Sequence, residues 1–228
     1  LLASGADPPL TKRSQPMRQY RLPLRLITQG KWADMIPPAR AILPIIGLHA
    51  DPSGKAFPGM ILLQKLSGIG NKHTLINGLK CLQELDLLEI QKVARPGKQG
   101  RHNLYYLYPP AIWESSYYPM YENFLISGRW ARLSPGEKSA FAVLAVKATL
   151  KPSHYRGRFD KFTEDEDWKG CGVIREFWYK LAGISRRSWF RAVKKLNHRG
   201  EILPLANRGY ILARQETQGN ERSAKIDT

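Results

Sequence analysis

The chain has 228 residues, and 36 Lys plus Arg against 19 Asp plus Glu leave a net charge of +17. Hydrophobic residues at 43% and charged residues at 24% exclude wholesale disorder, and the length suits one large domain or two small ones. Two cysteines, Cys81 and Cys171, are too few for a disulfide framework or a Cys-rich zinc site, and the longest nearly uncharged apolar run, Ala41 to Leu48, falls far short of the ~20 residues that span a bilayer.

Taken in order, Leu1 to Tyr20 has no apolar core of signal-peptide type, which predicts a cytoplasmic protein. The first residue is not Met, so the natural start is expected upstream. Residues 1–20 read as a basic arm; with Lys12, Arg13 and Arg18, and Arg21 just beyond, it suits phosphate or minor-groove contacts. A first unit follows over residues 21–110. Gly30-Lys31-Trp32-Ala33, Met35 and Pro37 lead into a predicted apolar helix over Pro38–Ala50, which Pro44 should kink or split. A short helix over Gly59–Ser67 should end at Gly68, a residue suited to a helix C-terminus. A third helix, Lys72–Leu85, is expected to be capped by Asn71, with Leu75, Leu79 and Leu82 facing inward. The period then changes. Leu87–Ile90 and Leu104–Leu107 flank the turn Arg95-Pro96-Gly97-Lys98-Gln99-Gly100-Arg101 and read as a β-hairpin.

Residues 111–123 form a linker whose Trp113, Tyr117, Tyr118 and Tyr121 predict a packed connection. The first unit then begins again over residues 124–214. Gly128-Arg129-Trp130-Ala131, Leu133 and Pro135 repeat the first landmark 98 residues later. Lys180-Leu181-Ala182-Gly183-Ile184 repeats Lys65-Leu66-Ser67-Gly68-Ile69 at an offset of 115, so the second copy carries 17 more residues between these landmarks. Beyond that turn the offset is 114, aligning Leu79, Leu82 and Leu88 with Val193, Leu196 and Ile202. Helices are predicted at Pro135–Leu150, Val173–Ala182 and Arg186–Arg199, the last capped by Ser185. A shorter hairpin uses Glu201-Ile202-Leu203, the turn Asn207-Arg208-Gly209 and Tyr210-Ile211-Leu212, and residues 215–228 read as a flexible tail.

The charge is spread: residues 1–20 carry +2, residues 21–110 carry +7 and residues 111–228 carry +8. Both copies are therefore basic, and a polyanion is the first candidate partner. The last helix holds Arg186, Arg187, Arg191, Lys194, Lys195 and Arg199 with no acid among them, while Trp189, Val193 and Leu196 make its inward stripe. Such an exposed cationic helix fits the major groove of double-stranded DNA, where Arg reads guanine and the other cations hold phosphates. The first copy presents Lys72, His73, Thr74, Asn77 and Lys80, with Asn77 as an adenine reader, while its hairpin supplies Lys92, Arg95, Lys98, Arg101 and His102. Arg208 occupies the second hairpin turn. Gly78 should weaken the first of these helices by up to ~1 kcal/mol relative to Ala. Asp160 and Glu164-Asp165-Glu166-Asp167 read as a solvated loop, and the His and Cys residues show no zinc-ligand spacing. The turn at Lys98 lacks the first Gly and the Ser or Thr of a phosphate loop. No catalytic constellation, metal site or cofactor is expected.

Leu181–Leu196 resembles the helix-turn-helix core of winged-helix DNA-binding proteins. Asp51-Pro-Ser-Gly-Lys-Ala-Phe-Pro58 leading to Leu66-Ser67-Gly68-Ile69, with Asn103-Leu104-Tyr105 closing the wing, is similar to domains of plasmid and phage replication initiators. The resemblance covers residues 25–108 and 125–214, with departures at Gly70-Asn71 and in the short second wing. It implies a mainly α fold with small β-hairpin wings, two tandem winged helices, and sequence-specific binding of repeated origin sites. Helicase or primase would be the protein partners. A transcription regulator on an operator, and an interaction module with one degenerate unit, stay open beside it, as does the oligomeric state; an enzyme is the least favoured.

Overall fold

The computed structural model describes residues 18–94, 101–109, 116–149, 175–204 and 210–212. Their helices and small sheets follow the order of the sequence repeat. The first half runs β1 (Gln19–Pro23), α1 (Leu24–Thr28), α2 (Lys31–Asp34), α3 (Pro37–Leu48), β2 (Lys55–Ala56), α4 (Met60–Ser67), α5 (Lys72–Glu84), β3 (Leu88–Ala94) and β4 (Arg101–Leu107). The second runs β5 (Tyr117–Tyr121), α6 (Glu122–Ile126), α7 (Arg129–Arg132), α8 (Pro135–Thr149), α9 (Arg175–Leu181), α10 (Arg186–His198), β6 (Ile202–Pro204) and β7 (Tyr210–Leu212). Every helix start in the first half maps onto one in the second at the sequence offsets of 98, 115 and 114.

Local chemistry sets the helix ends. The Asn71 side chain accepts from the N–H groups of His73 and Thr74, and Ser185 accepts from Ser188 N–H, so both third helices are capped as their sequences predict. Gly68 and Gly183 end α4 and α9 with φ of +75° and +60°. A second demand falls on both. A Cβ on Gly68 would lie 2.2 Å from the Ala131 carbonyl oxygen, and one on Gly183 would lie 2.5 Å from that of Ala33. Ala33 and Ala131 are themselves repeat equivalents, so each half seats its glycine turn on the other half's Trp-Ala helix.

Pro44 does not split its helix: α3 is continuous over Pro37–Leu48 with the proline inside. Interior proline costs ~3 kcal/mol in an isolated helix. Here Ala39 to Ile46 are all buried against β1, α4, α5 and α8, and that packing holds the helix through the missing N–H. Gly78 also has a packing reason. Its Cβ would meet Pro38 backbone at 2.9 Å, whereas in the second half Gly136 replaces that proline and Ala192 replaces the glycine, with Ala192 Cβ 3.9 Å from the position a Gly136 Cβ would take. The bulk has changed sides of the same helix contact.

β4 pairs with β3 in antiparallel register from Leu88↔Leu107 to Ala94↔Arg101, and with the short β2, making a three-stranded sheet; β6 and β7 form the smaller second hairpin. The remaining sheet was not visible in the sequence. β1, which starts within the arm, pairs with β5, which lies within the linker. Arg21 faces Pro119, its own repeat equivalent 98 residues on, and the flanking pairs Tyr20↔Met120 and Leu22↔Tyr118 are equivalents of each other. The ladder is therefore centred on a pseudo-two-fold axis, the isologous arrangement of a symmetric dimer built into one chain.

One hydrophobic core runs across both halves, with Trp32 and Trp130 fully buried in it. The second half is the more aromatic, Phe124 stacking on Phe141 at 4.9 Å with Trp130 edge-on to both. The Trp130 indole donates to the Ala41 carbonyl across the divide at 2.9 Å. Buried Arg40 is a further tie. Its guanidinium donates to the Trp32 and Ala33 carbonyls of its own half, and to Ser139 Oγ and the Ala182 carbonyl of the other, at 2.7–2.8 Å. Lys138 is its repeat equivalent, buried over the Trp130 ring with Nζ donating to the Leu133 and Ala131 carbonyls. Burial pushes the Lys138 ammonium down to about 8 and the Arg40 guanidinium down to about 10.

Candidate nucleic-acid interface

α5 packs on α3, α3 on α8, and α8 on α10, so the two third helices flank a central helix pair. Each turns a buried stripe inward: Leu75, Leu79 and Leu82 on α5, and Trp189, Val193 and Leu196 on α10. The opposite faces carry the residues singled out from sequence. Lys72, His73, Asn77 and Lys80 are exposed and Thr74 half-buried; Arg186, Arg187, Arg191, Lys194 and Lys195 are exposed. On β3, Lys92 is exposed beside the α5 unit, and Arg101 opens β4 opposite Ala94. Arg95, Lys98 and Arg208 lie outside the described residues, as do Lys12, Arg13, Asp160 and the Glu164–Asp167 run.

The cation that follows α10 has a partner inside the fold. Arg199, just past the helix, donates from Nε to Glu137 Oε1 at 2.9 Å. Glu137 is wholly buried and also accepts from Ser134 N–H, closing a capping box at the start of α8. Burial alone would raise its carboxyl; the hydrogen bonds from Ser134 and the Arg199 charge outweigh that and hold it below the usual carboxylate range. Likewise Glu201 is buried and paired with Arg129 at 2.7 Å. In the first half the corresponding residues are Ala39, Leu85, Lys31 and Leu87, and Lys31 donates to the Leu85 carbonyl instead. Glu137 and Glu201 are thus buried and paired, while the described cations along the outer face of α10 are exposed.

The starts of α5 and α10 have no acid in the first turn; cations stand there instead, Lys72 on one and Arg186 with Arg187 on the other. A cation at a helix N-terminus works against the helix dipole by roughly 0.3–1 kcal/mol, whereas an anion there is favoured. Dipole and cations attract the same kind of ligand, an anion such as phosphate. The β2–β4–β3 sheet adds Lys55, which lies 5.7 Å from the Tyr106 ring centre, and His102, whose ring lies 5.7 Å from that of exposed Phe57. Arg18 is exposed at the start of the arm's described portion, and exposed Arg21 sits 4.8 Å over the Tyr117 ring.

Sequence reasoning missed Phe190. It lies on α10 among the cations, 40% exposed, outside the inward stripe. Three-to-four spacing from Arg186, Arg187 and Lys194 was the available signal. Among the described residues no group of His, Cys, Asp and Glu is arranged to hold a metal ion, and no helix is long and apolar enough to cross a membrane.

No protein family, no curated protein and no solved structure matches this chain.

Proposed function

We propose that the chain binds double-stranded DNA through two winged-helix units and acts as a plasmid- or phage-type replication initiator on origin repeats. The observation that carries the DNA reading is the duplicated face: two capped helices, at equivalent places about a pseudo-two-fold axis, each exposing cations where helix stability disfavours them. In each half, helix, helix, turn, helix and hairpin follow in the order of a winged helix. α5 and α10 are the recognition helices, and the β3–β4 and β6–β7 hairpins are the wings.

The two faces match at their edges and differ at their centres. Lys72 and Lys80 correspond to Arg186 and Lys194, cations suited to phosphate on any sequence. His73 and Asn77 correspond to Arg187 and Arg191, so one half-site calls for adenine and the other for guanine. Two helices entering successive major grooves would cover half-sites ~34 Å apart. On the replication reading, helicase or primase is recruited to the bound origin, and the protein works in the cytoplasm on plasmid or nucleoid DNA.

The test is selection of bound duplexes from a random pool at several salt concentrations, followed by mapping of the selected site. A bipartite site, one helical turn between halves and repeated at an origin, is the expected result. A site beside a promoter would overturn the replication half of the proposal in favour of a regulator. Steeply salt-dependent binding with no selected sequence would overturn specific recognition.

A further inference from the structure

From the placement of Phe190, and resting on the DNA reading above, we infer that this residue recognises the C5 methyl group of a thymine in the α10 half-site. The buried residues of α10 are Trp189, Ala192, Val193 and Leu196, whereas Phe190 leaves 40% of its surface in water. Helical spacing places it one turn from Arg186, Arg187 and Lys194, on the shoulder between the buried stripe and the outermost cations. A helix in the major groove turns its outermost residues to the base edges and its shoulders to the groove walls.

Base edges in that groove are polar with one exception, the thymine methyl, which stands toward the wall. An aromatic shoulder on an otherwise charged helix has one apolar partner there. The counterpart on α5 is Ile76, smaller and half-buried, so the two helices differ in this contact as well as in their central polar residues. Phe190 thus adds thymine to a half-site in which Arg187 and Arg191 call for guanine.

Uracil is thymine without the methyl group, which makes the test direct. Each thymine of the selected duplex is replaced in turn by uracil, and binding is measured for the unaltered protein, Phe190→Ala and Arg187→Ala. One thymine in the α10 half should, on replacement, weaken the unaltered protein about fourfold, the effect of one buried methyl group. Phe190→Ala should be indifferent to that replacement, whereas Arg187→Ala, weaker overall, should keep the fourfold difference. Indifference of the unaltered protein at every thymine overturns the inference, and so does an α10 half-site without thymine or full uracil sensitivity in Phe190→Ala. The uracil scan needs no variant, so it decides even if Phe190→Ala folds poorly. A protein that selects a site yet ignores uracil defeats this inference alone; one that selects no site defeats the DNA reading beneath it.

Discussion

At the scale of single residues, exposure separates two kinds of cation. Arg187 and Arg191 stand at the centre of the α10 face, whereas Lys92 lies on a strand beside α5. If the first two read guanine, Arg187→Ala or Arg191→Ala should cost ~1–3 kcal/mol of affinity for the selected site and relax its sequence. Lys92→Ala should weaken all sequences alike and lower the salt slope by about one, as loss of one phosphate contact does. Competition titrations over a range of salt distinguish the two patterns, and their exchange would mean that helix and wing have been assigned the wrong way round. Buried cations behave differently. Lys138 gives up its proton near pH 8 when folded and near 10.4 when unfolded, so between those values the unfolded chain holds more protons. Stability from this group therefore rises with pH over that window, by up to about 3 kcal/mol, and below pH 8 the buried charge is a standing cost. Urea denaturation between pH 7 and 10 should show that rise, and Lys138→Met should remove it.

At the scale of elements, helix contacts decide what propensity alone would misjudge. Gly78 is unfavourable in mid-helix by up to ~1 kcal/mol, so Gly78→Ala considered on the helix alone should stabilise. Against α3 the sign reverses. The new Cβ would come within 2.9 Å of Pro38 backbone and 2.7 Å of Ile42 Cδ1, and the helices would have to part. A loss of about 1–3 kcal/mol is expected, read as a lower denaturation midpoint at unchanged slope. An increase in stability would show that the α3–α5 contact yields easily. The capped starts of α5 and α10 were legible because Asn71 and Ser185 act on amides two or three residues away. Pro44 was not: its effect depends on what surrounds α3, and buried contacts on several sides keep that helix whole.

At the scale of the whole molecule, the halves share one core, the β1–β5 ladder and the Arg40 hydrogen bonds, so they should not unfold one after the other. Tryptophan fluorescence and far-ultraviolet circular dichroism should give coincident single transitions; two separated transitions would show independent units. A fragment of residues 1–110 would expose β1 and the α3 face that packs on α8, and is expected to aggregate or dimerise through β1. The same continuity bears on DNA. If α5 and α10 both enter DNA grooves as proposed, one shared core fixes their separation, so inserting two base pairs between half-sites should abolish two-handed binding, down to the affinity for one half-site. Full affinity after insertion would show that the halves hinge.

Sequence periodicity determined the duplication, the third helices with their caps and inward stripes, and the cationic residues opposite those stripes. These follow from contacts within a few residues along the chain, where spacing and side-chain chemistry are decisive. Tertiary structure decided the rest. β1 and β5 are five residues each, both with proline, and carry little strand signal; they become a sheet because the pseudo-two-fold axis brings equivalent edges together. Arg40 and Lys138 carry no local sign of burial; docking of the two halves places Arg40 against Ser139 and the Ala182 carbonyl, and folding buries Lys138 against the Leu133 carbonyl. Arg199 reads as one more groove-facing charge, yet Glu137, 62 residues earlier in the chain, claims it. Partners so far apart are chosen by the packing of helices, and no local pattern in the chain encodes which acid, carbonyl or strand edge will arrive.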